Sequence, residues 1–567
     1  MMAQGREAPL SKNEKGLRLL TAISLIVLGV LYYLPVFFMD GIVPSDDTTF
    51  HLGRLVGLAN VWSSPVNFNS FGQNGLMVNI FYPWLTMYPM WLLYKITGSY
   101  VLGYKLYYML LTVATLFISF FSMKGITGSR TGSYVFAVLY TFSSYRYADI
   151  FNRGSLGEAI ALTFLPLVLL GIYRLCLGDH RKRAVLAAGM TLIAYSHMLT
   201  LLMSAAFVGI IYLATLAFQD DRKERFLSLV KAAGLSLGLS AAMIVPMMEQ
   251  YIRNDLYTPG GSGDRMAGSA YSVAEIIRFT LVNNPEGRGI GILAAAAFIA
   301  ACVLLVRRRS RGQRNTDPEV RFAAVLMITG AVLFLCTSDL LPWYYLGEHT
   351  PVATIQFAWR LNAYPVLAFT AAFAVLISGA AACSRKAAAV VLALVVTAAL
   401  GIQMYDLHGR VGIYADKDPI TEADMAGWPS GNVDYAPLKA WEYRESHGKT
   451  MGYLYVDGQE FEKTPYVKDR GTVYIQELDV PRDGAEADIP VFRYYGQKVL
   501  LNGEPAEAEM SGRGTTAIGK LPAGKAVIEI SYRYTALARA SWLFSIIVLM
   551  YATISGALKR KKDREQS

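Results

Sequence analysis

The sequence predicts a polytopic α-helical membrane protein with an all-β domain outside the membrane near its C-terminus. Of its 567 residues, 54% are hydrophobic and only 17% are charged, whereas about a quarter of the residues in soluble domains are charged. Apolar runs of about 20 residues recur, and each is long enough to cross a hydrocarbon core of about 30 Å. Between residues 406 and 538 these long runs stop and strand-like stretches appear.

The positions of Lys and Arg predict how the spans are oriented. Short loops rich in these residues stay in the cytoplasm, and basic runs occur at Arg181–Arg183, Arg307–Arg309 and Lys559–Lys562. Both termini are then cytoplasmic, and the other polar loops face outward. About twelve spans are predicted, near residues 18–38, 103–122, 132–144, 160–178, 184–196, 199–218, 227–246, 290–306, 320–337, 363–382, 387–405 and 539–557.

The run at 79–98 has the apolarity of a span but contains Pro83, Pro89 and several aromatic residues. If it crossed the membrane, the basic loops would move to the outside. We therefore predict an interfacial helix within a first outer loop at 39–102, with its Trp and Tyr at the level of the lipid headgroups. A second long outer loop is predicted at 247–289.

The domain organisation follows from the change in composition. A transmembrane domain is expected at 1–405 and an extracytoplasmic β domain at 406–538. In the β domain, Asp457–Gly458 and Asn502–Gly503 are typical of two-residue hairpin loops, and short strands between such turns predict a sandwich. Residues 539–567 supply a last transmembrane helix and a basic cytoplasmic tail.

The net charge of +10 and the four cysteines argue against two other classes of protein. The basic residues flank apolar spans, so positive-inside topology explains them and nucleic acid is not an expected partner. The cysteines lie in or beside apolar runs, and none belongs to a C-x-x-C pair. The sequence therefore indicates neither a disulfide framework nor a zinc site.

The first outer loop, P-S-D-D-T-T-F-H-L-G-R, carries the strongest candidate site. Ser45 is placed to cap a helix that begins at Asp46. On that helix Asp47, His51 and Arg54 follow at i, i+4 and i+7 and share one face. These three groups are able to deprotonate a hydroxyl and hold a phosphate. The alternative is a capped helix with an Asp–His pair and an arginine that reaches lipid headgroups.

The second outer loop, Y-R-Y-A-D-I-F-N-R-G-S-L-G-E, offers Arg153 and Glu158 for phosphate contact and for acid/base or metal chemistry. Gly154 and Gly157 allow the backbone to approach a ligand closely. The structural alternative is an Arg–Glu ion pair that fixes the loop.

Three more ionisable residues lie where predicted spans reach the outer face, namely His197, Glu249 and Arg360. Ionisable residues at such positions are functional candidates by default. Arg360 suits bidentate phosphate binding, and Phe357 and Trp359 are expected along an isoprenoid chain. The alternatives are a hydrogen-bonded structural histidine and an aromatic belt with an anchoring arginine.

The order of the motifs D-D-x-x-F-H-x-x-R, R-G-S-x-G-E, S-H-x-L-T and Q-F-x-W-R-L resembles a family of bacterial multispanning proteins. That family carries the label "6-pyruvoyl-tetrahydropterin synthase-related membrane domain", and it is similar to the GT-C superfamily of membrane glycosyltransferases. The resemblance covers roughly residues 17–405, and the β domain also resembles that family's C-terminal module. The chain shows no His-rich ligand set of the kind that a zinc-dependent pterin synthase uses.

The resemblance implies a GT-C-like fold and an inverting glycosyltransferase of the bacterial plasma membrane. The donor would be a polyprenyl-phosphate sugar and the acceptor an envelope polymer or lipid on the outer face. Asp46 or Asp47 would be the general base. Glu158 or Glu249 would orient the acceptor or hold a divalent cation, such as Mg²⁺ or Mn²⁺, if the enzyme uses one. The candidate donor-phosphate and substrate-binding residues are His51, Arg54, Arg153, Glu158, His197, Glu249 and Arg360.

Two other functions stay open from the sequence. A transporter or flippase of lipid-linked glycans is expected to carry charges at the bilayer midplane and to show broken-helix repeats, whereas here the charges cluster at one end of the spans. A non-catalytic envelope protein whose β domain binds glycan would tolerate the loss of Asp46 and Asp47.

Overall fold

The computed structural model describes residues 12–258, 260, 262–284, 286–312, 317–381, 385–414, 418–425, 434–448 and 452–565. Cys383, residues 1–11 of the predicted cytoplasmic N-terminus and residues 566–567 of the predicted tail lie outside the described residues. The prediction of a helical membrane protein with a C-terminal β domain is confirmed, because long apolar helices occupy most of the chain and the strands are confined to its last quarter.

Helices make up the transmembrane part, and their lengths follow the apolar runs of the sequence. The α-helices of the described residues are α1 (Lys12–Phe37), α2 (Thr48–Gly57), α3 (Val78–Phe81), α4 (Tyr88–Thr97), α5 (Tyr100–Thr127), α6 (Arg130–Thr141), α7 (Ser144–Tyr147), α8 (Leu156–Cys176), α9 (Ala184–Ala194), α10 (Met198–Thr215), α11 (Arg222–Arg253), α12 (Gly263–Gly268), α13 (Val273–Leu281), α14 (Gly291–Ser310), α15 (Pro318–Cys336), α16 (Trp343–His349), α17 (Ala363–Ala381), α18 (Arg385–Tyr414), α19 (Leu438–His447) and α20 (Ala536–Glu565).

Ten helices within the described ranges are long and apolar enough to cross a membrane. They correspond to ten of the twelve predicted spans. The predicted spans at 132–144 and 184–196 are instead α6, with 12 residues, and α9, with 11 residues. At 1.5 Å per residue such helices reach only about 16–18 Å, so neither crosses a bilayer of about 30 Å alone.

The two predicted outer loops contain more helix than expected. Residues 79–98 do not form one continuous helix, because the chain breaks after α3 and resumes at α4, which begins at Tyr88 and ends at Thr97. Helix α11 extends to Arg253 and so takes up the start of the predicted loop at 247–289. The rest of that loop includes the short helices α12 and α13.

The β domain is a sandwich of two five-stranded sheets, with strand orders β2-β1-β5-β9-β8 and β3-β4-β10-β6-β7. Both predicted turn pairs close hairpins, and all four of their residues have positive φ, as tight hairpin turns require. The strands are β1 (Tyr453–Val456), β2 (Gln459–Glu462), β3 (Tyr466–Lys468), β4 (Val473–Val480), β5 (Ala485–Phe492), β6 (Lys498–Leu501), β7 (Glu504–Pro505), β8 (Glu509–Met510), β9 (Thr515–Leu521) and β10 (Gly524–Ser531).

The sandwich packs on the segment that joins α2 to α3. The backbone N–H of Phe68 donates to the carbonyl of Gly471 at 2.8 Å, and that of Phe492 donates to the carbonyl of Asn74 at 2.8 Å. Phe68 and the β-strand core side chains form one buried apolar cluster. The β domain therefore supports the loop that holds the ionisable residues of α2.

Candidate active site

A cavity of about 1470 Å³ lies where the loop between α1 and α5 meets the segments that precede α8, α10 and α17. Six of the nine predicted site residues line it: Asp46, Asp47, His51, Arg153, His197 and Arg360. Arg54 and Glu158 lie directly behind this wall, where they bond to His51 and Arg153. Segments that are distant in the sequence thus contribute to one site.

Asp46 and Asp47 lie in different environments. Helix α2 begins at Thr48, and the side chain of its N-cap residue, Asp47, makes no capping hydrogen bond. Asp47 is partly buried at the cavity wall, whereas Asp46 is exposed. The predicted cap by Ser45 is wrong, because this hydroxyl donates to the carbonyl of Phe151 instead, at 3.3 Å. The Asp47 carboxylate therefore does not accept a hydrogen bond from the first backbone N–H groups of α2.

The charge state of Asp47 depends on two opposing effects. Burial raises the pKa of the Asp47 carboxyl, and the charges of Arg153 and Arg360 partly lower it again. The net shift is upward, which makes the carboxylate a stronger base than an exposed aspartate. A general base gains from a pKa closer to the working pH.

His51 and Arg54 form one buried unit on α2. The Arg54 Nη1 atom donates to His51 Nδ1 at 3.1 Å. The same guanidinium donates to the carbonyl of Pro83 at 2.6 Å and to Asn79 Oδ1 at 3.3 Å, and its Cζ atom lies 4.1 Å from the centre of the Tyr82 ring. Burial and the charge of Arg54 hold the pKa of His51 well below its usual range, and burial lowers the pKa of Arg54 to about 10.

Arg153 and Arg360 belong to a second buried group, which is rich in carboxyls. Arg153 Nη1 contacts Asp149 Oδ1 and lies 3.1 Å from Glu158 Oε2. Glu158 also lies 3.6 Å from Arg360 Nε and accepts a hydrogen bond of 2.5 Å from the Tyr145 hydroxyl. The ion pair that was the structural alternative for this loop is thus present, extended to two arginines.

His197 is the N-cap residue of α10, and its Nδ1 atom accepts from the backbone N–H of Thr200 at 3.4 Å. Burial, assisted by the charges of Arg360 and Arg153 and opposed by Glu158, lowers the pKa of His197 to about 3. The imidazole is therefore neutral near pH 7. Because Nδ1 is an acceptor, the proton is assigned to Nε2.

Glu249 does not belong to the cavity. Met247, Met248 and Tyr251 of the same helix line the cavity. Because successive side chains of an α-helix are rotated by about 100° around its axis, Glu249 lies on a different face of α11. Glu249 instead accepts a hydrogen bond of 2.6 Å from the Thr535 hydroxyl, next to the last transmembrane helix. The prediction that Glu249 binds substrate is corrected accordingly.

The carboxylates proposed for a divalent cation are not brought together. Glu158 is engaged by arginines and Tyr145, and Glu249 lies elsewhere. Across the ranges that the structure describes, no group of three or more His, Cys, Asp or Glu residues is placed to hold a metal ion.

Gly154 and Gly157 make room for protein side chains rather than for a ligand. A Cβ atom at Gly154, which has φ +62°, would lie 2.4 Å from Thr48 Oγ1. A Cβ atom at Gly157 would lie 2.5 Å from Tyr82 Cε1 and from its hydroxyl. The motif R-G-S-x-G-E therefore lets α2 and Tyr82 approach the start of α8.

The sequence analysis missed Asp149, Tyr145, Tyr82 and Asn79, which complete the two buried groups. Asp149 had a detectable signal, since it precedes Arg153 by four residues, the spacing of a helical ion pair. The other three residues are an amide and two phenols in apolar segments. Nothing in the sequence around them distinguishes them from core residues.

One side of the cavity is apolar and borders the membrane-spanning surface. Leu202 of α10 and Leu237 and Met248 of α11 line the cavity and are 54%, 62% and 44% exposed. Phe357 and Trp359, expected along a lipid chain, also line the cavity, where their rings stack at 5.2 Å and the Arg153 guanidinium lies 4.7 Å from the Trp359 ring centre. The exposed apolar surface on this side of the cavity comes from α10 and α11.

The family of the chain follows from its transmembrane sequence. A family model described as "6-pyruvoyl-tetrahydropterin synthase related domain; membrane protein" matches residues 80–406, more than half of the chain. The chain belongs to this family. The resemblance drawn from the motifs is thereby confirmed, and the family's own description places it in a membrane.

Individual relatives are more remote. An uncharacterized protein of Lactococcus lactis subsp. cremoris (strain MG1363) is 24% identical to this chain over 258 residues. The match covers 42% of this chain, and the chain spans about two fifths of the relative's length (41%). Arabinofuranosyltransferase AftD from Mycobacteria has a TM-score of 0.41 and 16% identity, over 79% of this chain and 29% of that one. ArnT from Cupriavidus metallidurans, bound to undecaprenyl phosphate, has a TM-score of 0.31 and 13% identity, over 66% of this chain and 79% of that one. Both scores are too low to assign a property of either protein to this chain.

Proposed function

We propose that the protein is a GT-C-type membrane glycosyltransferase. It transfers a sugar from a polyprenyl-phosphate donor to a hydroxyl of an envelope polymer or lipid, with inversion and with Asp47 as general base. The observation that carries this proposal is the partly buried Asp47 carboxylate. It makes no capping hydrogen bond to α2, and it lines a cavity that is polar at one end and apolar at the other.

The two-part cavity fits the two parts of a polyprenyl-phosphate sugar. Leu202, Leu237 and Met248 offer an apolar surface that is continuous with the outside of the transmembrane helices, where an isoprenoid chain would lie. Imidazole and guanidinium groups at the other end suit a phosphate. A large apolar pocket with a few convergent polar groups is the usual form of a ligand site.

The chemistry needs one base and one leaving group. Asp47 takes the proton of the acceptor hydroxyl while the hydroxyl oxygen attacks the anomeric carbon. The bond from that carbon to the phosphate oxygen breaks in the same step, and the electron pair leaves with the polyprenyl phosphate. Attack opposite the leaving group inverts the anomeric centre. The neutral imidazoles of His51 and His197 donate hydrogen bonds to the phosphate and stabilise the charge that develops on its oxygens.

The site is proposed to face away from the cytoplasm. Arg153 immediately precedes α8, which is long enough to cross a membrane, and the basic run Arg181–Arg183 follows that helix at its other end. Lys and Arg in short loops favour the cytoplasmic side, so the cavity would open on the outer face. In a chain without its own cysteines, Lys182→Cys should label from inside and Glu286→Cys, exposed at the cavity, from outside. The reverse pattern would contradict this orientation.

The function is tested with purified protein in lipid nanodiscs, a panel of polyprenyl-phosphate sugars and cell-envelope material that supplies the acceptor hydroxyl. We expect release of polyprenyl phosphate from at least one donor, dependent on Asp47. Asp46→Asn is the matched control, since it removes a neighbouring carboxylate that is exposed. Full turnover by Asp47→Asn would contradict the mechanism.

A further inference from the structure

The group around Arg153 and Arg360 has no positive charge to spare for a ligand. Two guanidinium groups face three carboxyls, those of Asp47, Asp149 and Glu158. Burial raises the pKa of Asp149, while Arg153 opposes the shift. Even when one carboxyl carries a proton, the remaining negative charges match the two arginines. An additional anion beside this group would meet carboxylates as well as cations.

Arg54 is in the opposite situation. It is 1% exposed, and its recorded hydrogen-bond acceptors are the imidazole of His51, the amide of Asn79 and the carbonyls of Tyr82 and Pro83. All of them are neutral. Among the residues that the structure describes, no carboxylate lies within ion-pair distance of this guanidinium. A buried cation without a counter-charge is costly, and an anion bound nearby would remove that cost.

Two imidazoles line the cavity around Tyr82, whose ring also contacts the Arg54 guanidinium. His51 Nδ1 accepts from Arg54, and His197 Nδ1 accepts from the backbone of Thr200, so both rings carry their proton on Nε2. Both rings contact Tyr82, with centroid distances of 5.5 Å and 5.7 Å, and both line the cavity. Both are therefore N–H donors in contact with one phenol ring, and the Arg54 guanidinium lies 4.1 Å from the centre of the same ring.

We propose that the lipid-linked phosphate binds at the Nε2–H groups of His51 and His197, with the charge of Arg54 behind them. Arg153 and Arg360 are positioning residues that hold Asp47, Asp149 and Glu158 in place, rather than the main phosphate ligands. This assignment rests on the proposed function and names its donor-phosphate subsite. It also gives Arg54 a role through His51, without direct contact with the ligand.

The test is direct binding, independent of turnover. The protein is placed in nanodiscs of phosphatidylcholine, and binding of undecaprenyl phosphate is compared with that of undecaprenol, which lacks the phosphate. We expect His51→Ala and His197→Ala each to weaken undecaprenyl phosphate binding at least about tenfold, the loss of one hydrogen bond to a charged group. Binding of undecaprenol should not change. His180→Ala, in a loop beside Ser228, is the matched control.

Variants of Arg54 distinguish the contribution of its charge from that of its packing. Arg54→Met should weaken undecaprenyl phosphate binding, and Arg54→Lys should restore part of it. If Arg54→Met does not fold, Asn79→Asp tests the same idea, because it places a carboxylate of the same shape 3.3 Å from Arg54 Nε. Asn79→Asp should weaken the binding of undecaprenyl phosphate and leave the binding of undecaprenol unchanged.

The outcomes distinguish this subsite from the function itself. If Arg153→Lys or Arg360→Lys weakens undecaprenyl phosphate binding more than His51→Ala does, the subsite is wrong even when sugar transfer occurs. If the histidine variants behave as expected but no donor sugar is consumed, the subsite stands and the transferase fails. Equal binding of undecaprenol and undecaprenyl phosphate to the wild-type protein would overturn the subsite.

Discussion

Two arginine environments border the same cavity and differ in what neutralises them. Arg153 and Arg360 are held among carboxyls, whereas Arg54 is held by neutral acceptors and a phenol ring. A cation paired with carboxylates has its field largely cancelled, so it fixes geometry. A cation among neutral groups keeps its field and attracts an anion. Arginines that border one cavity therefore need not share one role.

The largest expected effect tests the carboxyl-rich side. Asp47→Asn should lower sugar transfer about 10²- to 10⁴-fold, because a positioned general base contributes that much. It should leave undecaprenyl phosphate binding intact, since the proposed phosphate subsite lies on the Arg54 side. Asp46→Asn should retain transfer within about tenfold of wild type, well short of the loss expected for a general base. A large loss of lipid phosphate binding in Asp47→Asn would erase the distinction between the two environments.

The next effect concerns stability. Glu158→Gln keeps the shape of the side chain but removes a buried carboxylate that pairs with both Arg153 and Arg360. Breaking a buried ion pair in this way costs about 3–5 kcal/mol of unfolding free energy. Unfolding in mixed micelles measures this cost. Glu249→Gln is the control, with an expected loss below about 1 kcal/mol, because the hydrogen-bond partner of Glu249 is an uncharged hydroxyl. Equal stability of Glu158→Gln and wild type would mean that the carboxyl-rich group does not fix geometry.

The pH profile of transfer separates the carboxylate from the imidazoles. The pKa of Asp47 is raised by burial above its ordinary value of 3.8, and only the ionised form acts as base. Transfer should therefore fall as pH decreases through a midpoint above 3.8, by about tenfold per pH unit below it. Burial lowers the pKa of His197 to about 3, below the range expected for Asp47, and it holds the pKa of His51 well below its usual range. An acid midpoint at or below 3.8 would contradict this assignment.

The smallest effect tests the contact between the two environments. Gly157→Ala places a Cβ atom 2.5 Å from the Tyr82 ring, so Tyr82 must move away from His51 and His197. We expect a loss of about 1–3 kcal/mol in stability and weaker undecaprenyl phosphate binding. Gly209→Ala is the control, because nothing lies within 4 Å of its added Cβ atom. Unchanged phosphate binding in a folded Gly157→Ala protein would show that Tyr82 does not position the imidazoles.

Much of the fold was predictable because it depends on local pattern. The length of the apolar runs predicted the ten long helices. The change to short strand-like stretches predicted the sandwich, and the turn pairs Asp457–Gly458 and Asn502–Gly503 predicted two of its hairpins. The short runs near α6 and α9 failed as full spans because hydropathy does not reveal where a helix ends. The break between α3 and α4 was signalled only by prolines.

The sequence by itself determined which ionisable residues stand at the ends of apolar helices, and therefore which chemistry the chain has available. Only the tertiary structure decided their partners. It placed Glu249 against Thr535, joined Asp149 to Arg153, and left Arg54 among neutral groups. The physical reason is that a charge is neutralised or left unbalanced by neighbours from other helices. Those neighbours are set by how the helices rotate and pack, which no single segment encodes.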